Sequence, residues 1–249
     1  MRGIFCPVLF VVLACQPNAP ASAADDAKAV VDKAIQAMGG EAKFGAAKAF
    51  TWKTKGTFRF GENESSFTAE STWAGIDKFR QEFSGDFGGN PFKVVVVING
   101  DHGWRTFGDT PMEITGDDLT NEKRTIYLQT IPAGLILPLK SKEFKIELAE
   151  AANESDEVAT KVTGPDGKDF KLFFSKKTHL PVRAVANVRS FNGEEFTQET
   201  TYSEFKDFGG IKKATKHEAK RDGNTFVEAE VTEFKALDQV DPERFAEPK

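Results

Sequence analysis

Cysteine is almost absent from this 249-residue sequence, and its two copies, Cys6 and Cys15, both fall within the first two dozen residues. Beyond them there is no disulfide framework, thiolate metal site or cysteine nucleophile, so the rest of the chain relies on its core. Histidine is scarce. His102, His179 and His217 fall in turns or mid-strand without ligand spacing, so they read as solvated or hydrogen-bonded residues and no metal is expected. Base is in deficit: 33 Lys and Arg against 38 Asp and Glu leave a net charge of -5, which argues against a nucleic-acid surface. No apolar run approaches the roughly 20 residues that a bilayer-spanning helix needs. Also missing are G-x-S-x-G, H-E-x-x-H, a P-loop and a G-x-G-x-x-G opening a helix after a strand. The acidic pairs Asp117-Asp118 and Glu194-Glu195 sit where a helix start and a turn want them. The runs Lys140–Lys145 and Lys212–Lys220 alternate like wet faces of strands. Nothing here asks for an enzyme or a cofactor.

What is present begins with a leader. Arg2, the apolar stretch Ile4 to Ala14, and Ala21-Ser22-Ala23 have the three parts of an export signal, so residues 1–23 are expected to be removed and 24–249 to form one domain. Val12-Leu13-Ala14-Cys15 allows a second outcome, a lipobox-like site that would anchor the chain through Cys15. Either way the compartment is outside the cytoplasm, the periplasm being the first expectation.

Apolar residues make up 39% of the chain and include 23 Phe, enough for a sizeable core. Asp25 to Met38 has helical spacing closed by Gly39-Gly40, and Glu41 to Ala47 allows a second short helix. From Phe50 the period becomes two. Phe50, Trp52, Phe58 and Phe60 share a face, as do Phe67, Ala69, Ser71 and Trp73, and again Phe79, Gln81, Phe83 and Phe87. Val94 to Ile98 is apolar on both sides, as a strand covered on both faces would be. Gly61-Glu62-Asn63, Asn99-Gly100-Asp101, Asn192-Gly193 and Asp222-Gly223 mark turns between about a dozen strands with no βαβ unit. The pattern implies a mainly β fold: a single strongly curved antiparallel sheet or barrel. One helical interruption, Asp117 to Ile131, carries Leu119, Ile126, Tyr127 and Ile131 near one side and is followed by Pro132 and Leu135-Ile136-Leu137-Pro138-Leu139. The aromatic surplus, Trp104 included, either fills a core or lines a cavity for an apolar ligand with this segment as its lid.

The order of these pieces resembles the LolA-like family of periplasmic lipoprotein carriers. The likeness runs from Met38-Gly39-Gly40 through Asp77-Lys78-Phe79-Arg80, Asn99-Gly100-Asp101-His102-Gly103-Trp104 and Leu180-Pro181-Val182-Arg183 to Tyr202-Ser203-Glu204-Phe205 and Asp241 to Pro248. The resemblance implies an unclosed half-barrel with an N-terminal helix and an inserted lid helix covering the concave face. It implies that Trp52, Phe58, Phe60, Phe67, Trp73, Phe79, Phe83, Trp104, Leu119, Ile126, Tyr127 and Ile131 line an acyl-binding cleft. Arg80 resembles the family's lid-gating arginine, with Arg59 as competitor on the neighbouring strand. The expected partners are a lipid or acylated protein and membrane donor or acceptor proteins, with no nucleic acid, and the chain is expected to be a monomer. A partner-binding scaffold or sensor using the sheet edges, and a lipid hydrolase, remain as alternatives.

Overall fold

A computed structural model of the chain describes residues 23–61, 63–108, 110–150, 156–190 and 193–248. Residues 1–22, which carry all but the last residue of the expected leader, the lipobox-like stretch and both cysteines, lie outside the described residues. Two helices come first, α1 (Ala23–Ala37) and α2 (Glu41–Ala46). A first meander follows, with β1 (Ala49–Phe60), β2 (Asn63–Trp73), β3 (Lys78–Phe87), β4 (Asn90–Asn99), β5 (His102–Phe107) and β6 (Thr110–Ile114). Helix α3 (Gly116–Thr130) and a 3-10 turn at Leu137–Lys140 lead to a second meander. It runs through β7 (Lys145–Leu148), β8 (Glu157–Thr163), β9 (Asp169–Ser175), β10 (Pro181–Arg189), β11 (Glu195–Phe208), β12 (Ile211–Arg221) and β13 (Asn224–Leu237). The expected strands and helices are there, with β6 as an addition.

All 13 strands form one antiparallel sheet in the order 6-5-4-3-2-1-13-12-11-10-9-8-7, so the two meanders join where β1 pairs β13 and the sheet does not close. The curl follows from reach. β5 and β10 are eight inter-strand steps apart, about 38 Å on a flat sheet. Yet Arg105 of β5 and Arg189 of β10 pair with Glu122 and Asp118, which are only about 6 Å apart along α3. A flat sheet cannot satisfy both. The sheet wraps around the helix, and α3 straps its open side.

The face toward the helices is the inner one. Cross-strand register puts Phe50 opposite Trp73, Trp73 opposite Phe79 and Phe79 opposite Ile98, one unbroken apolar row over four strands. Against it pack Val31, Ala34 and Ile35 of α1 with Met38 just after it, and Ile126 and Tyr127 of α3 with its C-cap Ile131. Full burial of each such large side chain contributes about 1.5–3 kcal/mol, which is what holds these two helices onto the sheet. Helix α1 also packs against the edge strand β7, whose Ile146 joins the same cluster.

The outer face has its own small core. Phe245, in a 3-10 turn at Pro242–Phe245, is 2% exposed and packs on Val95 and Val97. Asp241 caps that turn by accepting from the Glu243 N–H, and Arg244 reaches back to Thr72 and Glu70. This C-terminal plug is why Val94 to Ile98 is apolar on both sides: Val96 and Ile98 face inward, Val95 and Val97 outward.

Candidate functional site

The inner face has two parts. Under the helices, Trp52, Trp73 and Phe79 of the sheet share one cluster with Ile126 and Tyr127 of α3, its C-cap Ile131, and Leu135 and Ile136 of the segment that follows. The space is filled, with Phe79 2%, Ile126 1% and Ile131 0% exposed. Leu119 packs at its margin, where Gly103 of β5 leaves room: a Cβ there would stand 2.7 Å from the Leu119 Cδ1.

Farther along the same strands the inner face continues as a wall of rings. Phe58 and Phe67 pack with Phe83 and Phe92, and every member of this cluster belongs to a strand, none to a helix. Phe67 and Phe83 stack at 4.8 Å and Phe83 and Phe92 at 5.8 Å, within the favourable range for aromatic pairs. Two strand glycines make the wall possible. Gly56 lies opposite Phe67 and Gly85 opposite Phe92, and each ring settles over its glycine, 2.9 and 3.0 Å from where a Cβ would be. Rings covering bare strand glycines compensate for their weak packing.

Helix α3 is held on this face by a buried polar lock. Arg124 and Asp166 are each only 4% exposed at their side chains and pair at 3.2 Å. The guanidinium also donates to the Tyr127 hydroxyl at 2.7 Å and to the Asp169 and Asn187 carbonyls at 3.0 and 3.4 Å. The Tyr127 hydroxyl donates in turn to Asp166 at 2.7 Å. Burial, and then the Asp166 carboxylate, push the Tyr127 phenol well above its usual range, so it stays a donor. Gly164 opens the turn that carries Asp166, and a Cβ there would stand 2.7 Å from the Tyr127 ring carbon Cζ. Around this lock, Lys123 pairs with Asp101, Asn121 donates to the Arg189 carbonyl, and Glu122 and Asp118 pair with Arg105 and Arg189.

The structure thus brings Trp52, Trp73, Phe79, Leu119, Ile126, Tyr127 and Ile131 together and sets Phe58, Phe67 and Phe83 beside them on the same face. The Phe60 side chain lies outside the described residues. Trp104 corrects the expectation. Its partner in register is Val97, so it faces outward, packing near Phe245, while Gly103 takes the inward place. Arg80 also points outward, opposite Val97 and Thr72, and binds Glu82 at 3.1 Å. Its hydrogen bonds and ion pair among the described residues go to Glu82 on its own strand, not to α3. Arg59 pairs with Glu64 and Glu228 at the surface. The arginine that secures the helix is Arg124, on the helix itself. Sequence reading passed it over because its partner lies 42 residues away, in a turn.

Lys213 is the second departure. Expected on a wet strand face, it is 1% exposed, with its ammonium over the Trp52 and Phe234 rings. A hollow of about 910 Å³ lies against charged and polar side chains such as Lys55, Thr68, Ser84 and Glu230, and also against Phe67 and Ala229. Among the described residues no three His, Cys, Asp or Glu side chains are grouped to hold a metal ion, and no helix is long and apolar enough to cross a membrane.

No model of a known protein family matches the sequence, and no curated protein does. The fold does have solved counterparts. A LolA superfamily protein from Nitrosomonas europaea superposes with a TM-score of 0.57 at 12% identity, over 89% of this chain and 97% of that one. A DUF1329 family protein from Desulfovibrio piger gives 0.53 at 15% identity, over 88% and 97%. An outer membrane lipoprotein-sorting protein domain from Vibrio parahaemolyticus gives 0.52 at 8%, over 86% and 97%. The open 13-stranded sheet strapped by a helix across its inner face is a LolA-like fold.

Proposed function

We propose that the protein is an exported, periplasmic carrier that binds an acyl chain of a lipid or lipoprotein on its aromatic inner face, with α3 and the apolar segment after it as the lid. One observation carries this reading. The apolar face is longer than its helical cover: the Phe58–Phe67–Phe83–Phe92 wall continues the row that α3 occupies. An acyl chain lying along the wall extends into the place of Ile126 and Ile131 when the helix lifts. Transfer of each CH₂ from water contributes about 0.8 kcal/mol, so a 16-carbon chain supplies on the order of 10 kcal/mol at most. That is enough to displace a lid whose closed and open forms differ by a few kcal/mol. The solved LolA superfamily and lipoprotein-sorting structures of the same fold add weight to a carrier role.

The test is native mass spectrometry of the purified protein, followed by titration with a fluorescent fatty-acyl probe. A carrier retains lipid or takes up the probe, and Phe83→Asp weakens uptake while the chain stays folded. Unchanged uptake in folded Phe83→Asp refutes the cleft assignment, and turnover of the bound lipid would make the protein an enzyme. A scaffold that binds a partner protein is favoured by a different feature: Phe107 and Met112, 57% and 51% exposed, lie at the β6 edge of the sheet. That reading predicts no bound lipid.

A further inference from the structure

The carrier reading leaves one buried group unused. Lys213 of β12 sits at the floor of the covered part, 1% exposed and with no acidic side chain paired to it among the described residues. Its ammonium has three donors, and one of them reaches the Ala133 carbonyl at 3.3 Å. The Trp52 and Phe234 rings lie 5.1 and 5.5 Å away and offset part of the charge. Burial alone drives its pKa down to about 7, with no acidic neighbour holding it up. The titratable group nearest it in effect is His217, on the same strand, itself kept neutral by burial and held to the Ala214 carbonyl. A purely structural position on this floor is better filled by leucine or methionine.

The location of the acceptor gives the lysine a role. Ala133 belongs to the segment directly after α3, the part that moves if the helix lifts. Opening the lid therefore removes the ammonium's hydrogen-bond acceptor and leaves a cation facing an aromatic cleft. A neutral occupant leaves that charge uncompensated, whereas a monoanion neutralises it in a site where water no longer competes. One cation matches one negative charge, which favours a carboxylate over a doubly charged phosphate monoester. The ester ends of a diacylglycerol anchor carry no charge at all.

We propose that Lys213 binds the carboxylate of a free long-chain fatty acid, which enters the cleft head first with its chain running toward the Phe58–Phe92 wall. This rests on the carrier reading and narrows its ligand class.

The experiment compares cis-parinaric acid with its methyl ester, two fluorescent ligands of the same chain, on the wild-type protein and on Lys213→Met. The acid is expected to bind wild type at least tenfold more tightly than the ester. In Lys213→Met the ratio falls to within threefold, through weaker binding of the acid. A wild-type ratio near one overturns the assignment whether or not the variant folds, and so does an unchanged ratio in the folded variant. If the ester binds but shows no such ratio, the carrier reading stands and only the lysine's role falls. If neither ligand binds wild type, both fall.

Discussion

Replacing Asp166 by Asn separates a lid from a fixed piece of core. The substitution keeps the shape of the side chain and removes the carboxylate that faces Arg124 at 3.2 Å and accepts from the Tyr127 hydroxyl. Arg124 then has only carbonyls and the phenol as acceptors, and its Nε has no partner even in the wild type. Removing one partner of a buried ion pair costs about 3–5 kcal/mol where the structure cannot relax. Helix α3 can relax, by leaving the sheet. If even 3 kcal/mol of the loss falls on the closed form, the open fraction rises by about 100-fold. Apparent affinity for an acyl ligand rises with it until the open form predominates. Asp166→Asn should therefore lower the urea midpoint and at the same time tighten binding of a fluorescent acyl probe. The two effects have opposite signs for function. A folded Asp166→Asn protein that binds the probe as weakly as wild type, or more weakly, refutes the idea that α3 is displaced by ligand.

Three further perturbations probe the same architecture. Lys213 holds its proton up to pH 10.5 in the unfolded chain but only to about pH 7 when buried, so stability should rise with pH between those values, by on the order of 5 kcal/mol at most. Urea midpoints of wild type minus those of Lys213→Met should climb across that window, and a flat difference would count against the burial of the charge. Phe245→Ala empties the outer-face plug and should cost about 3 kcal/mol, with Trp104 emission shifting to the red in the folded protein; an unshifted spectrum contradicts the packing. Gly164→Ala places a methyl against the Tyr127 ring and should destabilise by about 1–3 kcal/mol, and in Tyr127→Phe part of that penalty should vanish, as a double-mutant cycle in urea would show.

The sheet was legible because its strands alternate cleanly. Phe67, Ala69, Ser71 and Trp73 are all buried on the inner face, opposite mostly polar neighbours, and the turn residues between strands leave little choice of boundary. Strand β6 escaped because Thr110–Ile114 is short, lies at an edge and contains Pro111, so no period can be established over it. Trp104 was put on the wrong face for a related reason. In His102–Phe107 the inward position belongs to Gly103, and a missing side chain gives periodicity nothing to read. The polar features of the site failed differently. Arg124 and Lys213 lie in charged stretches that resemble solvated faces, and their buried status depends on Asp166 and Ala133, far along the chain. Alternation tells which side of a strand a residue takes, but not whether that side is covered, nor by what.

The strap geometry makes a stronger demand than lid motion alone. Because α3 is tied to β5 through Arg105–Glu122 and to β10 through Arg189–Asp118, it cannot leave the inner face while both ties persist. Opening has to break at least one of them, and with it the bridge from β5 to β10 across the open side of the sheet. The exposed pair, Arg189–Asp118, with side chains 36% and 70% exposed, contributes little against water, whereas Arg105 and Glu122 are 26% and 14% exposed and hold more firmly. The buried Arg124 lock, however, adds bonds to Asp166, to the Asp169 carbonyl and to the Asn187 carbonyl of β10, so the helix should hinge on its β10 side and release from β5 first. Both cysteines, Cys6 and Cys15, precede Ala24, so a chain starting there offers a thiol-free background for testing this. Cysteines placed in pairs, Asp118→Cys with Arg189→Cys or Glu122→Cys with Arg105→Cys, can be joined by a short bis-maleimide. Cross-linking the second pair should abolish acyl-probe binding, while cross-linking the first should leave most of it. Equal loss from both cross-links would rule out a hinge at β10, and binding that survives both would mean the ligand never needs the space under α3.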